Sequence, residues 1–248
     1  MSGLYDNEFS PTNVRGRALE LIERYSNIRS GLVHLDVGCG YGSIASRIAQ
    51  LGLIYVGVDI AGDGLKSLSD RGFESHYVDL SDEEHTLLQL TKVIAGRRLA
   101  SITMLDTLEH LSSPLDVLKA IKELIADRSV PLVLSVPNVT HRENVAKMVT
   151  GRFEYTEDGL LDRTHIIHFS RDTLFRMTRE AGLAQVESND TEVPHPDRDL
   201  QLDPEFLGYE AAWFKSVSNL RQLASPDSLS YQFVRAYLAA PPRPDNWY

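Results

Sequence analysis

The stretch Val33-His34-Leu35-Asp36-Val37-Gly38-Cys39-Gly40-Tyr41-Gly42 determines the fold. An apolar run passes into a loop with glycine at every second position, and a helical pattern follows. A second apolar run, Val56-Gly57-Val58-Asp59-Ile60, then ends on an acidic residue. This order of strand, glycine loop, helix and strand is typical of a βαβ unit that binds a nucleotide-like ligand.

The spacing of the glycines identifies the ligand class. Glycine lacks Cβ, so the loop can turn tightly and a ligand can lie against the backbone. A dinucleotide site needs Gly-x-Gly-x-x-Gly, whereas Gly42 comes one residue early and Ser43 stands where the last glycine belongs. Asp36 would repel a pyrophosphate but suits a cationic ligand, and Asp59 can accept hydrogen bonds from a ribose. The pattern therefore favours S-adenosylmethionine (AdoMet) over a dinucleotide.

Composition limits the partners. The chain has 25 Lys and Arg against 35 Asp and Glu, a net charge of −10, which argues against a nucleic-acid backbone as partner. No apolar run approaches the roughly 20 residues of a membrane helix, and the polar start lacks a signal-peptide core. A single cysteine allows no internal disulfide. We expect a cytoplasmic protein with a small-molecule acceptor, no nucleic-acid or membrane partner, and an oligomeric state left open, a homodimer included.

The remaining patterns predict one domain over residues 1–248. Ser10 and Pro11 read as the N-cap and first residue of a helix over about 10–29. Alternating strands and helices up to residue 137 predict a parallel sheet covered by helices on both faces. A loop-rich insertion over about 139–169 follows, then a helix, a strand near 184–190, a loop over 191–204, an aromatic helix near 205–223 and a last strand over 231–239. That aromatic helix can pack on its own sheet or on a second subunit.

The chain resembles the class I AdoMet-dependent methyltransferases. Leu35–Gly42 is similar to their first motif and Val58–Ile60 to their second. Tyr77–Leu80 is similar to their third motif, and Met104–Leu111 to the segment after their fourth strand. The resemblance implies a Rossmann-like α/β fold, with a seven-stranded, mostly parallel sheet whose last strand is antiparallel. The stretch from Gly159 to Phe169 is similar to a pattern of methyltransferases from bacterial sugar and natural-product pathways.

The motifs give a predicted cofactor site at the carboxyl ends of the strands, where ligands bind in such sheets. The resemblance implies that the acid of the third motif faces the adenine amino group. His110 is expected to line the same pocket. The predicted cofactor-binding residues are Asp36, Gly38, Cys39, Gly40, Asp59, Ile60, Asp79, Leu80, Leu105 and His110; Cys39 is interpreted as a small residue that fills the loop.

The acceptor site is predicted in the insertion, which concentrates aromatic and ionisable residues. A hydroxyl acceptor needs a base, most often histidine, and the candidates are His165, His141 and His168. The predicted substrate-binding residues are Tyr155, Asp162, Arg163, Arg142 and Arg152, with an ion pair between Asp162 and Arg163 as the structural alternative. Mg²⁺ held by Asp162, His165 and Asp106 is conceivable, but their spacing is not a recognised metal cluster. No metal is therefore predicted.

The leading hypothesis is O-methylation of a small molecule, with a sugar or glycosylated natural-product hydroxyl as the first choice. The first alternative is a carboxylate or phosphonate acceptor, which is already ionised and would be held by arginines without a base. N-methylation of an amino sugar, a nicotinamide-dependent oxidoreductase and a non-catalytic AdoMet-binding regulatory subunit complete the alternatives.

Overall fold

The computed structural model describes residues 9–80, 82–125, 129–149, 151, 153–192 and 211–241. Several sequence predictions fall outside these residues: Arg152, most of the loop predicted over 191–204, the start of the helix predicted near 205–223, and the tail after residue 241. Within the described part, no helix is both long and apolar enough to cross a membrane.

The elements follow the predicted alternation. The strands are β1 Val33–Val37, β2 Ile54–Asp59, β3 Glu74–Tyr77, β4 Leu99–Leu105, β5 Leu132–Pro137, β6 Leu183–Ser188, β7 Thr191–Glu192 and β8 Ser230–Ala239. The helices are α1 Val14–Tyr25, α2 Ala45–Gln50, α3 Gly62–Asp70, α4 Glu83–Ile94, α5 Pro114–Leu124, α6 Arg142–Val149, α7 Arg171–Glu180 and α8 Ala211–Ala224. A short 3₁₀ helix over Leu108–His110 follows β4.

The strands form one mixed sheet in the order β3-β2-β1-β4-β5-β8-β6. The first five strands along the chain pair in parallel, and β8 lies antiparallel between β5 and β6. This confirms the predicted Rossmann-like methyltransferase fold and the antiparallel last strand. The described residues add an eighth strand, β7, whose two residues pair with β8.

The start of α1 corrects one prediction. Asn13, not Ser10, is the N-cap, because its Oδ1 accepts hydrogen bonds from the amides of Arg15 and Gly16, each at 3.1 Å. The segment before the helix folds back on its first turn, since a Cβ on Gly16 would lie 2.3 Å from the Ser10 carbonyl oxygen. The helix therefore begins at Val14, and Ser10 and Pro11 lie outside it.

Two apolar clusters cover the two faces of the sheet. The alternating residues Val33, Leu35 and Val37 of β1 pack in the cluster under α4 and α5. The other cluster contains Ala18, Leu21 and Ile22 of α1 together with residues of α2. Because both faces of the central strands are covered, the open edge of the sheet is its carboxyl end, where the predicted site lies.

Helix α8 packs against α6, the helix of the insertion. Arg221 of α8 donates from Nε to the Thr140 carbonyl oxygen at 2.8 Å and forms an ion pair with Asp227 at 3.2 Å. The described part of the aromatic helix thus packs on α6 of its own chain, and a contact with a second subunit stays a prediction. The cap over the carboxyl edge therefore combines residues 139–169 with α8.

A buried polar chain runs through the middle of the sheet. His34 is fully buried; its Nδ1 lies 2.8 Å from Ser101 Oγ and its Nε2 lies 3.0 Å from Thr103 Oγ1. Thr103 donates its only hydroxyl proton to Asp36 Oδ1 at 2.7 Å, so Thr103 accepts from the imidazole and Nε2 carries the proton. Burial lowers the pKa of His34 from 6.5 to about 3.

This lowered pKa predicts acid sensitivity of the fold. The unfolded chain binds a proton at His34 below a pH of about 6.5, whereas the folded chain does not until about 3, so stability falls as pH falls through this window. We expect His34 to remove about 2 kcal/mol of unfolding free energy between pH of about 7 and about 5. Denaturant unfolding of wild type and His34→Gln checks this, with exposed His85→Gln as the control. Parallel pH slopes in all three proteins would contradict it.

Candidate active site

The glycine loop joins β1 to α2 in a left-handed backbone conformation. Gly38, Gly40 and Gly42 have φ of 71°, 51° and 65°, values that favour glycine. A Cβ on Gly38 would lie 2.3 Å from Thr107 Oγ1, and one on Gly42 would lie 2.2 Å from Leu68 Cδ2. A Cβ on Gly40 would meet nothing within 4 Å, so open space lies beside this residue. The loop is thus a cradle that presents bare backbone at Gly40.

Asp59 lies at the end of β2 beside this cradle. Its Oδ2 accepts from the Gly40 amide at 2.7 Å, and its Oδ1 accepts from the Ala61 amide at 2.8 Å. The carboxylate therefore links the glycine loop to the turn before α3 and keeps lone pairs for further donors. Exposed Ile60 and Tyr41 flank it, with relative exposures of 62% and 43%. The arrangement fits a ribose at Asp59 and a flat apolar group beside Ile60.

Gly64 is a residue of this site that the sequence reasoning missed. A Cβ on Gly64 would lie 2.4 Å from the Gly40 carbonyl oxygen, so the first turn of α3 packs directly on the glycine loop. The available signal was the pair of glycines that follows Asp59, at positions 62 and 64. The loop conformation therefore depends on a small residue in α3.

We expect Gly64→Ala to displace the loop. The clash involves backbone, which cannot rotate away, so overpacking should destabilise the fold by about 1–3 kcal/mol. AdoMet affinity should fall by roughly tenfold because Gly40 and Asp59 move together. Calorimetric titration with AdoMet and thermal unfolding measure both effects. Gly62→Ala is the matched control, since its Cβ would meet nothing within 4 Å; equal affinities in the two variants would contradict the account.

Asp36, which the sequence predicted to bind the cofactor, lies buried beneath the glycine loop. It is buried at 4% exposure, and its Oδ1 and Oδ2 accept 2.7 Å hydrogen bonds from the Thr103 and Tyr55 hydroxyls. Burial raises its pKa, while the two hydroxyls act in the opposite direction. Cys39 is buried beside it, and burial strongly raises the pKa of the thiol. The interpretation of Cys39 as a residue that fills the loop stays a prediction.

The other predicted cofactor residues lie at the same edge of the sheet. Asp79 is exposed and Leu80 half-buried after β3, and Leu105 is half-buried at the end of β4. Asp106 follows with a φ of 51°, and its Oδ1 accepts from Ser135 Oγ at 2.6 Å and Gln232 Nε2 at 2.9 Å. These contacts bind the end of β4 to β5 and β8 and fix the start of the 3₁₀ helix.

The insertion is attached to that 3₁₀ helix. The Glu109 carbonyl oxygen accepts from the amides of Ile166 and Ile167 at 2.9 and 3.1 Å. His110 Nδ1 lies 3.1 Å from the Thr164 carbonyl oxygen, and the His110 and His165 rings lie 5.0 Å apart. The two predicted segments, one after β4 and one in the insertion, therefore meet at the edge of the sheet that carries the glycine loop.

His168 belongs to a small aromatic cluster on the insertion. Its ring stacks on Tyr155 at 6.0 Å, and Phe153 packs edge-on against Tyr155 at 5.6 Å. Phe153 and Tyr155 are about half exposed, and the His165 ring lies 6.4 Å from that of His168. Burial lowers the pKa of both His165 and His168. The cluster offers an accessible ring surface beside neutral imidazoles.

His141 is placed differently from the other two histidines. Its side chain is fully buried, its Nδ1 accepts from the Glu143 amide at 3.3 Å, and its ring packs on Tyr231 at 5.4 Å. Burial, with Arg142 and Arg221 nearby, lowers its pKa to about 4. The structure thus groups His165 and His168 with His110, and places His141 in the interior of the cap.

The predicted substrate-binding pair in the insertion has other partners. Arg163 forms an ion pair with Glu157 at 2.5 Å rather than with Asp162. Asp162 Oδ1 accepts from the amide and hydroxyl of Thr164, each at 2.7 Å. The expected ion pair between Asp162 and Arg163 is therefore wrong, because Thr164 is the nearer donor.

Glu109 was not singled out in the sequence, although it lies within a recognised motif. It is 1% exposed, and neither carboxylate oxygen makes a hydrogen bond within the described part of the chain. His165 Nε2 lies 4.0 Å from its Oε1. Burial, with Asp106 nearby, raises the pKa of Glu109 well above its usual range.

Comparisons with known proteins agree with this geometry. A family model described as a methyltransferase domain matches residues 12–188. The ubiquinone biosynthesis O-methyltransferase of Dinoroseobacter shibae is 30% identical over 159 residues, which cover 63% of this chain and 62% of that protein. The chain thus spans less than two thirds of this curated relative.

Solved structures share the fold at low identity. Magnesium protoporphyrin IX methyltransferase from Synechocystis PCC 6803, with S-adenosylhomocysteine bound, has a TM-score of 0.57 and 18% identity, over 92% of this chain and 82% of that one. A SAM-dependent methyltransferase from Archaeoglobus fulgidus has a TM-score of 0.58 and 16% identity, over 92% and 94% of the two chains. Together with the glycine cradle and the matched domain, these findings show that the chain belongs to the family of AdoMet-dependent methyltransferases.

Proposed function

We propose that this methyltransferase acts on a hydroxyl oxygen of a small molecule whose ring packs on Phe153 and Tyr155, beside His168. The observation that carries the proposal is the junction between the Glu109 carbonyl and the amides of Ile166 and Ile167. This junction holds the histidines of the insertion at the sheet edge that carries the glycine cradle. An acceptor and a proton-accepting group can therefore meet the methyl donor in one place.

AdoMet fits the cradle on the features that the structure shows. Bare backbone at Gly40, the Asp59 carboxylate and exposed Ile60 form one continuous surface. We assign ribose binding to Asp59 and an adenine contact to Ile60 and Leu80, with Asp79 toward the adenine amino group. The remaining proposed cofactor contacts are Asp36, Gly38, Cys39, Leu105 and His110.

The residues of the insertion would then bind the acceptor and accept its proton. Tyr155 and Phe153 hold the acceptor ring, and His168 takes the hydroxyl proton and releases it to solvent. The chemistry that bound AdoMet would supply is an electrophilic methyl carbon: the acceptor oxygen would provide the electron pair of the new C–O bond, and the pair of the broken C–S bond would stay on sulfur. The cap of α6 and α8 limits water at the reacting oxygen, which is how such sites gain rate from position. Of the three predicted histidines, His168 has the most accessible ring.

The relatives favour a hydroxyl acceptor. The curated relative from Dinoroseobacter shibae is an O-methyltransferase by name. We extend its acceptor atom, oxygen, to this chain. A carboxylate or phosphonate acceptor would need unengaged arginines, whereas Arg163 already pairs with Glu157. Sugar hydroxyls and phenolic hydroxyls both suit the aromatic cluster. A cytoplasmic location completes the proposal.

An acceptor screen tests the reaction class. Methyl-labelled AdoMet is incubated with phenols, glycosides, sugar nucleotides, amino sugars, carboxylates and phosphonates, and label transfer is measured. We expect transfer to a phenol or glycoside, with the amino sugars, carboxylates and phosphonates inactive. Transfer confined to the acids or amines would contradict the proposed acceptor. AdoMet binding without transfer to any class would favour the regulatory alternative.

A further inference from the structure

Glu109 has an unusual environment for a carboxylate. It is 1% exposed and both oxygens lack a hydrogen bond within the described residues. An ionised carboxylate in such a place costs several kcal/mol unless a cation compensates it. Its backbone carbonyl accepts hydrogen bonds from the amides of Ile166 and Ile167, so the insertion covers this residue. The carboxylate therefore lies in a buried place where a bound cation would compensate its charge.

Two imidazoles approach this carboxylate. Single donor atoms of Glu109, His110 and His165 all lie within 4.8 Å of one another. Tetrahedral bonds of about 2.0–2.2 Å place two donors about 3.3–3.6 Å apart, so a pair at the 4.8 Å limit must close by a little more than one ångström to hold an ion. Exposed His110 has room for that movement, while buried His165 and Glu109 form the fixed side of the group.

The hydrogen bond of His110 prepares it as a ligand. Its Nδ1 donates to the Thr164 carbonyl oxygen at 3.1 Å, because a carbonyl can only accept. The neutral ring therefore carries its proton on Nδ1 and has a free lone pair on Nε2. Metal-binding histidines are commonly oriented by such a contact to a backbone carbonyl.

We propose that Glu109, His110 and His165 bind one divalent transition-metal cation of the Zn²⁺ type. Two imidazole nitrogens and one carboxylate oxygen suit such a cation better than Mg²⁺, which prefers oxygen. Three protein ligands leave a position open for the acceptor oxygen. That last role rests on the proposed function; the ion site itself does not.

This set of ligands differs from the Mg²⁺ ligands that the sequence analysis considered, which were Asp106, Asp162 and His165. Asp106 Oδ1 is engaged by Ser135 and Gln232, and Asp162 Oδ1 by Thr164. Neither belongs to the group of three within the described residues. Without an ion, the alternatives are a protonated Glu109 or a charge pair with His165.

Titration of the metal-free protein with Co²⁺ alone tests the site. The full chain, without a polyhistidine tag, AdoMet or acceptor, is followed by visible absorption and by calorimetry, and Zn²⁺ is used to displace Co²⁺. We expect one equivalent to bind with a visible band, and Glu109→Gln to weaken binding by at least about tenfold. Glu157→Gln, an exposed carboxylate in the same insertion, is the control and should bind as wild type.

His165→Gln provides a second variant in case Glu109→Gln does not fold, with circular dichroism as the check, and the same loss is expected. No stoichiometric Co²⁺ binding, or equal binding by wild type and both folded variants, would overturn the site. Binding of Mg²⁺ in preference to Co²⁺ would also overturn it. Neither AdoMet nor acceptor is present in this titration. The result for the ion site therefore does not depend on whether the proposed methyl transfer occurs.

Discussion

His168→Ala is expected to lower kcat by about a hundredfold or more, the usual contribution of a general base. The imidazole stacks on Tyr155 with 6.0 Å between the ring centroids, which places it beside the proposed acceptor surface. Cofactor binding should be nearly unchanged, because His168 lies outside the proposed AdoMet contacts. Steady-state kinetics at saturating AdoMet, with an acceptor from the screen, measures the effect.

Two further variants make this result specific. His85→Ala removes an exposed histidine on α4 and should retain wild-type kcat. Tyr155→Phe keeps the ring that stacks on the acceptor and should change kcat little. If His168→Ala turns over normally, the proton goes to another group or the acceptor is already ionised.

Asp59→Ala is expected to weaken AdoMet binding by roughly 10- to 100-fold, or about 1.5–3 kcal/mol. The carboxylate holds the Gly40 and Ala61 amides at 2.7 and 2.8 Å. Its loss removes the proposed ribose acceptor and also leaves two loop amides without their partner. Both effects act in the same direction.

Asp59→Asn separates the two contributions, since its single amide oxygen can accept one of the two backbone bonds. Asp70→Ala, an exposed acid at the end of α3, is the control. Calorimetric titration measures affinity, and thermal unfolding shows whether the loop change destabilises the fold. Unchanged AdoMet affinity in Asp59→Ala would exclude this carboxylate from the cofactor site.

The elements up to β5 could be predicted because their signals are local. The apolar run of β1, the glycines after it and Asp59 after β2 each determine structure within a few residues. The N-cap of α1 could not be predicted as readily. Asn13 competes with Ser10, and the choice depends on how the preceding segment folds back against Gly16.

The parts of the site that escaped prediction depend on contacts between distant segments. Gly64 matters because α3 approaches the Gly40 carbonyl, and Glu109 matters because the insertion closes over it. Glu109 has no local signal for this role, and the glycines at positions 62 and 64 do not indicate which segment approaches them. Likewise, the packing of α8 on α6 depends on tertiary contacts such as that of Arg221 with Thr140. The predictions for His165 and His168 rest on the ionisable residues that the insertion concentrates, and their catalytic roles stay predictions.

The most direct test of the central claim is the chemical identity of the transferred methyl group. With carbon-13 methyl AdoMet and the accepted substrate, NMR of the product before and after mild alkali distinguishes the possible linkages. The account predicts a methyl ether, which alkali leaves intact. A methyl ester that alkali cleaves, or a methyl on nitrogen, would contradict methylation of a hydroxyl at the histidine cluster.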